Sequence, residues 1–248
     1  MLPILQVGPF ALQLPGLLLI IGVWLGSLLT EREAARRQLS PSRMSNLIFL
    51  ALIGGLIGAR LGYVLRYLDL YLQSPLGILA LNPNTLAPFE GLVAAIIVAV
   101  IYAQRSKMAF WATLEVLTPG IALFMIFVGL AHLTSGDAFG LESDLAWSIE
   151  LWGARRHPTQ IYEVLAASLV FIMILRIRLE QPFDGFLFLI YIGLAALQRF
   201  LLEALRGDSL IILGTVRGAQ LLSLLVIMAS LIGLHFNARR AEGIKRTR

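Results

Sequence analysis

The chain has 248 residues, 58% of them hydrophobic and 14% charged, with a mean hydropathy of +0.82. A soluble domain carries roughly a quarter charged residues, so an ordinary globular core does not account for this composition, and disorder needs the opposite bias. With no cysteine, a disulfide framework, a thiolate metal site and a cysteine nucleophile are all excluded. A net charge of +5 on so apolar a chain points to a membrane and not to nucleic acid.

A bilayer core takes about 20 apolar residues per helix. Runs of that kind are predicted at 13–29, 47–68, 90–104, 109–131, 161–175, 185–205 and 217–236, the third and fifth borrowing flanking residues to reach full length. The first run has no Lys or Arg before it and no small-residue cleavage site, so it reads as a retained helix and not a signal peptide. The expected fold is all-α, a polytopic membrane protein with about seven transmembrane helices and a small extracytoplasmic head, forming one domain over residues 1–248.

Charge orients the spans. Arg32, Arg36, Arg37 and Arg43 follow the first run, Arg105 and Lys107 the third, Arg176 and Arg178 the fifth, and Arg239, Arg240, Lys245, Arg246 and Arg248 the last. Thirteen of the 20 basic residues therefore fall on one side of a seven-span chain, and the opposite loop 69–89 has none. The positive-inside rule puts the N-terminus outside and the C-terminus in the cytoplasm. The long outer loops 69–89 and 132–160 are expected to carry function. Gly54, Gly58 and Gly62 recur every four residues, a face that another helix approaches closely.

Five ionisable residues lie inside the apolar runs: Arg60, Glu115, Glu163, Arg199 and Glu203. A charge in hydrocarbon costs about 3 kcal/mol by insertion scales, so each implies a partner, a wet cavity or a role. All except Glu115 fall at the outer level, and Glu115 reads as a helix-interface carboxylate. Arg199, Glu203 and Arg206 share one helix face. Two guanidiniums around one carboxylate suit a further anion such as a phosphate, or else form a structural ion-pair network between helices. In the segment His157-Pro158-Thr159-Gln160-Ile161-Tyr162-Glu163, Pro158 suits a first helical turn, and His157 is either a base or a cap. No His/Asp/Glu cluster has metal-ligand spacing, and no cofactor is implied. A transporter would show broken helices and paired halves, which the sequence lacks.

Three motifs carry a resemblance: Gly58-Ala59-Arg60-Leu61-Gly62-Tyr63, the His157–Glu163 segment, and Arg199-Phe200-Leu201-Leu202-Glu203-Ala204-Leu205-Arg206. Together they resemble the prolipoprotein diacylglyceryl transferase family, as do Gly8-Pro9 and the stretch Gly214 to Ser223. The resemblance spans nearly the whole chain. It implies a bacterial inner-membrane enzyme that moves the diacylglyceryl group of phosphatidylglycerol onto the lipobox cysteine of a preprolipoprotein, releasing glycerol phosphate. Its partners are then phosphatidylglycerol, the lipobox peptide and membrane lipid.

The resemblance further implies that Arg60, Arg199 and Arg206 hold the phosphate while Glu163 and Glu203 orient them. The catalytic set is Glu90, His132, Asp137, Arg199 and Glu203. The substrate-binding set is Arg60, Tyr63, His157, Gln160, Tyr162, Glu163, Arg206 and Gly140. Several family positions differ. The Phe-His-Gly-Gly loop reads Phe89-Glu90-Gly91-Leu92 here, which offers Glu90 as a base in place of the histidine. The family signature falls on Val128 to Gly140, with Gly129 for its arginine and His132 for its asparagine, and His132 is the candidate replacement for the lost histidine. The first-helix tyrosine is Pro15. Two functions follow from this pattern: a transferase working through an altered arrangement, or a lipid-binding accessory protein on the same scaffold.

Overall fold

The structure is a computed structural model that describes residues 4–7, 10–79, 85–212 and 214–246. Gly8, Pro9 and Arg248 lie outside the described residues, as does part of the 69–89 loop. Among the described residues the chain is helical, with three two-stranded hairpins inserted. Helices α1 (Leu14–Arg36), α2 (Pro41–Arg66), α4 (Pro88–Arg105), α5 (Phe110–Ser135), α6 (Thr159–Ile177), α7 (Phe186–Glu203) and α8 (Gly218–Arg246) correspond to the seven predicted runs. Each is long and apolar enough to cross a membrane, α8 over Gly218–Ala241. A short helix α3 (Leu68–Gln73) and a 3-10 turn (Pro75–Leu79) occupy the described part of the first long loop. The hairpins are β1 (Ile4–Val7) with β2 (Phe10–Gln13), β3 (Ile149–Leu151) with β4 (Ala154–Arg156), and β5 (Ile211–Ile212) with β6 (Val216–Arg217), all antiparallel. These strands went unpredicted because two to four residues are too few for a period to register.

The chain divides into two compact units, Ala34–Thr113 and the remainder. The smaller is built on α2 against α4, and the glycine stripe is its seam. A Cβ at Gly54 would collide with Val98, at Gly58 with Ala94, and at Gly62 with Glu90. Small residues therefore let the two backbones close up, the approach that drives helix pairing where there is no hydrophobic effect to do so. Arg66 donates through Nε to Glu90 Oε1 at 2.8 Å across this seam.

In the larger unit α5, α6 and α7 surround a core of Ala122, Val170, Ile174, Leu187 and Tyr191. Thr30 and Gly26 of α1 meet Gly120 of α5 at backbone distance. On the other side Ser230 of α8 donates to the Leu189 carbonyl at 2.7 Å beneath the gap left by Gly193. Buried Glu115 accepts the backbone N–H groups of Gly185 (2.9 Å) and Leu187 (3.2 Å). It thus caps α7 from a distant helix, satisfying N–H groups that have no partner within α7 and placing a negative charge at the positive end of its dipole. The helix-interface carboxylate expected at Glu115 is this cap. Glu33, also buried, pairs with Arg178 at 3.4 Å.

Candidate active site

Three helices of the larger unit end together: the C-terminus of α5, the N-terminus of α6 and the C-terminus of α7. Between them lies a cavity of about 220 Å³. Its floor is apolar and reaches Ala122, Val170 and Tyr191 of the core, while its mouth carries His132, Glu163, Gln198, Arg199 and Arg206. Each helix contributes one face, at three- and four-residue spacing, which is why the pocket is polar at one end and hydrocarbon-like at the other. An amphiphile with an anionic head matches that gradient.

His132 lies in the last turn of α5, and its Nδ1 is 2.8 Å from Glu163 Oε2. Gly129 makes this contact available. A Cβ there would press on the Val164 backbone and side chain, so the absence of a side chain at 129 lets α5 and α6 close until 132 and 163 touch. Glu163 is the better sheltered of the two, its side chain 13% exposed against 31% for the imidazole. With one ring nitrogen held by a carboxylate, the other is left as the reactive one, the arrangement by which a carboxylate sets a histidine tautomer.

Glu203 is buried, with Arg199 Nη2 3.0 Å from its Oε2 and Arg206 Nε 4.0 Å away. The i, i+4 pair read from the sequence is therefore made. Arg199 is 43% exposed at the side chain and faces the mouth. The fork of Arg206 is given to a residue that the sequence reading did not single out: Nε donates to Asp208 Oδ1 at 2.8 Å and Nη2 to Oδ2 at 2.7 Å. Burial works against the charge on Arg206, but the Asp208 carboxylate holds the guanidinium above its ordinary value. Burial likewise pushes Asp208 up, yet the hydrogen-bonded Arg206 holds it below the usual carboxylate range.

A second unpredicted residue fixes the turn that carries this pair. Arg217 Nη1 donates to the carbonyls of Glu203 and Arg206, the latter at 2.7 Å, and to Ser209 Oγ at 2.7 Å. Glu203 closes α7 and Arg206 sits in the turn beyond it, where Arg206 N also donates to Glu203 O at 3.2 Å. Carbonyls at a helix end draw such donors from outside the helix. A second basic residue, after Arg206, in the short segment between α7 and α8 was the available signal for it. Tyr191 and Gln198, which line the cavity, share the α7 face with Arg199 and were legible from helical spacing alone.

The remaining site candidates of this unit support the cavity without lining it, and their neighbour Thr159 does line it. Gln160 is fully buried and donates to the Asp137 carbonyl at 2.9 Å. Asp137 is exposed, its carboxylate accepting from Ser135 Oγ at 2.7 Å. Trp147 Nε1 donates to the Tyr162 hydroxyl at 2.7 Å, and the His157 ring meets Tyr162 edge-on. Gly140 is a backbone joint. It bridges Arg206 in antiparallel fashion, Leu141 N donates to Leu205 O and Gly207 N to Phe139 O, each at 2.8 Å. A Cβ at 140 would run into the His157 carbonyl.

Arg60, Tyr63 and Glu90 belong to the smaller unit. Arg60 is buried, and its guanidinium donates to the carbonyls of Ile78 (3.0 Å), Thr85 (2.9 Å) and Gly77 (2.5 Å). It also lies over the Tyr71 ring at 5.2 Å. These contacts order the loop after α2. Tyr63 packs on Tyr67 with ring centroids 4.7 Å apart. Glu90 is held by Arg66 in an ion pair.

The prolipoprotein diacylglyceryl transferase profile matches residues 3–236. A Finegoldia magna protein named phosphatidylglycerol–prolipoprotein diacylglyceryl transferase is 30% identical over 218 residues, covering 88% of each chain. Proteins with the same name from Clostridioides difficile and Bacillus cereus are 31% identical over 217 residues and 28% identical over 254. They cover 88% and 98% of this chain and 87% and 94% of their own lengths. With its seven apolar helices and these matches over nearly its full length, the chain belongs to the prolipoprotein diacylglyceryl transferase family.

Proposed function

We propose that this protein transfers the diacylglyceryl group of phosphatidylglycerol to the cysteine thiol of a lipobox peptide in a preprolipoprotein. Residues 1–248 are read as one functional domain of a bacterial plasma-membrane enzyme, with the N-terminus outside and the cavity mouth at the outer leaflet. The charge asymmetry of the loops supports that orientation, and the names of the relatives support the reaction.

The observation that carries the reading is the cavity with guanidiniums at its mouth and an apolar floor. The acyl part of the lipid occupies the apolar end and the phosphodiester lies against Arg199 and Arg206. His132, oriented by Glu163, takes the thiol proton. The resulting thiolate attacks the glyceryl carbon that bears the phosphate, the carbon–oxygen bond breaks, and a thioether forms. The electron pair leaves on glycerol phosphate, whose charge Arg199 balances as it develops. Glu203 orients Arg199, and Asp137, Gln160, Tyr162, His157 and Gly140 hold the loop over the mouth. In the smaller unit Arg60 orders the loop after α2, Tyr63 packs on Tyr67, and Glu90 is held in an ion pair by Arg66, which leaves His132 to serve as the base.

The test is purified protein in lipid nanodiscs containing phosphatidylglycerol, supplied with a lipobox peptide. Release of glycerol phosphate with a matching mass gain on the peptide cysteine supports the reading. Saturable lipid binding without turnover by folded protein would instead establish the accessory, lipid-binding function.

A further inference from the structure

Arg199 and Arg206 face one cavity, yet neither is electrically idle. Arg199 is matched by Glu203, and both oxygens of Asp208 take the Nε and Nη2 protons of Arg206. A carboxylate and a phosphodiester present the same two-oxygen face to a guanidinium fork. An incoming lipid phosphate therefore competes with Asp208 for one set of donors. We propose that Asp208 is an internal stand-in for the phosphate, a positioning residue that holds the Arg206 fork in the empty site, yields it to the lipid, and reclaims it to expel the glycerol phosphate product. This rests on the proposed reaction and deepens it.

Three features of the pair allow exchange at the side chain. The Asp208 side chain is 28% exposed against 13% for Arg206, so the carboxylate turns into water at small desolvation cost while the guanidinium stays. The backbone beneath does not need to move, because Arg217 holds Arg206 O and Ser209 Oγ and Gly207 N is bonded to Phe139 O. Arg206 also remains within 4.0 Å of Glu203, which keeps its head near the mouth once Asp208 has left.

The expected behaviour differs from that of a purely structural ion pair. Asp208→Asn keeps the shape and one acceptor oxygen but removes the competing charge. It should bind phosphatidylglycerol nanodiscs, and be inhibited by free glycerol phosphate, roughly three- to fivefold more tightly, the scale of a partly exposed ion pair. The KM for lipid falls and kcat falls with it because release slows, and Asp208→Glu returns both toward wild type. Inorganic phosphate serves as the control that separates a site for any phosphate from one that needs the lipid. If phosphate competes as well as glycerol phosphate, the stand-in acts on the anion alone.

A second measurement uses unmodified protein. Carbodiimide labelling of Asp208, read by mass spectrometry, should rise when phosphatidylglycerol is added and stay level with diacylglycerol. Unchanged labelling, or an Asn variant that is folded and binds the lipid no tighter or more weakly, overturns the inference. Neither readout needs turnover, so a wild-type protein that binds phosphatidylglycerol without releasing glycerol phosphate defeats the proposed reaction and leaves Asp208 to be judged on binding. A wild-type protein that binds no anionic lipid defeats both.

Discussion

His132 Nδ1 and Glu163 Oε2 lie 2.8 Å apart at the mouth of a cavity whose floor is hydrocarbon-like. Where the resemblance places the family's arginine and asparagine, this chain has Gly129 and His132, and the two act together: the glycine lets the helices close, and the histidine then reaches the carboxylate. A general base contributes roughly 100- to 10,000-fold to a rate. His132→Gln is therefore expected to lower kcat for peptide lipidation by about 100-fold or more, with lipid binding retained. Loss of binding in place of turnover would assign His132 to the lipid head and not to the thiol.

Restoring bulk at 129 tests the same coupling from the other side. Gly129→Val should separate α5 from α6, because its Cβ meets Val164. Overpacking of this kind costs about 1–3 kcal/mol. Thermal unfolding in detergent should report that loss, and kcat for peptide lipidation should fall as His132 is drawn away from Glu163.

Arg199→Lys keeps the charge and discards the planar fork. If Arg199 binds the phosphodiester through paired N–H groups, the lysine variant behaves nearly as poorly as Arg199→Ala, with a drop in kcat/KM of about 10- to 100-fold. A lysine variant at wild-type efficiency would reduce the role to a point charge.

Arg217 is expected to matter for the shape of the turn and not for the chemistry. Arg217→Ala removes the guanidinium from the carbonyls of Glu203 and Arg206, which keep Arg206 N (3.2 Å) and Ser209 Oγ (3.4 Å), and hydrogen bonds to a charged group are each worth about 1.5–3 kcal/mol. The Tm should fall, and the KM for lipid should rise more than kcat declines. An unchanged KM in a destabilised protein would separate the turn from the site.

Asp208 supplies a pH signature. Its carboxyl is held below the ordinary value of about 3.9 by Arg206, so the pair's stabilisation is present above that ordinary value and is lost as pH falls through the depressed one. The stability difference between wild type and Asp208→Asn should hold level at neutral pH and close as the medium is acidified below about pH 4. A difference that grows on acidification would reverse the assignment.

Hydropathy and charge were enough for the seven spans, because about 20 apolar residues in a row admit few arrangements in a bilayer. The glycine stripe of α2 and the Arg199–Glu203 pair were likewise legible, since residues three or four apart share a helix face wherever the helix goes. Partners from distant segments were not. The resemblance implies Arg60 as a phosphate ligand, but that its guanidinium meets the carbonyls of Gly77, Ile78 and Thr85 was not legible before folding. Two arginines around Glu203 suggest a missing anion, and folding supplies one from Asp208. Local periodicity records which side of a helix a residue occupies. Only the packed chain decides which helix, loop or backbone atom stands opposite, because a charge in a low-dielectric interior takes whatever partner the fold brings within reach.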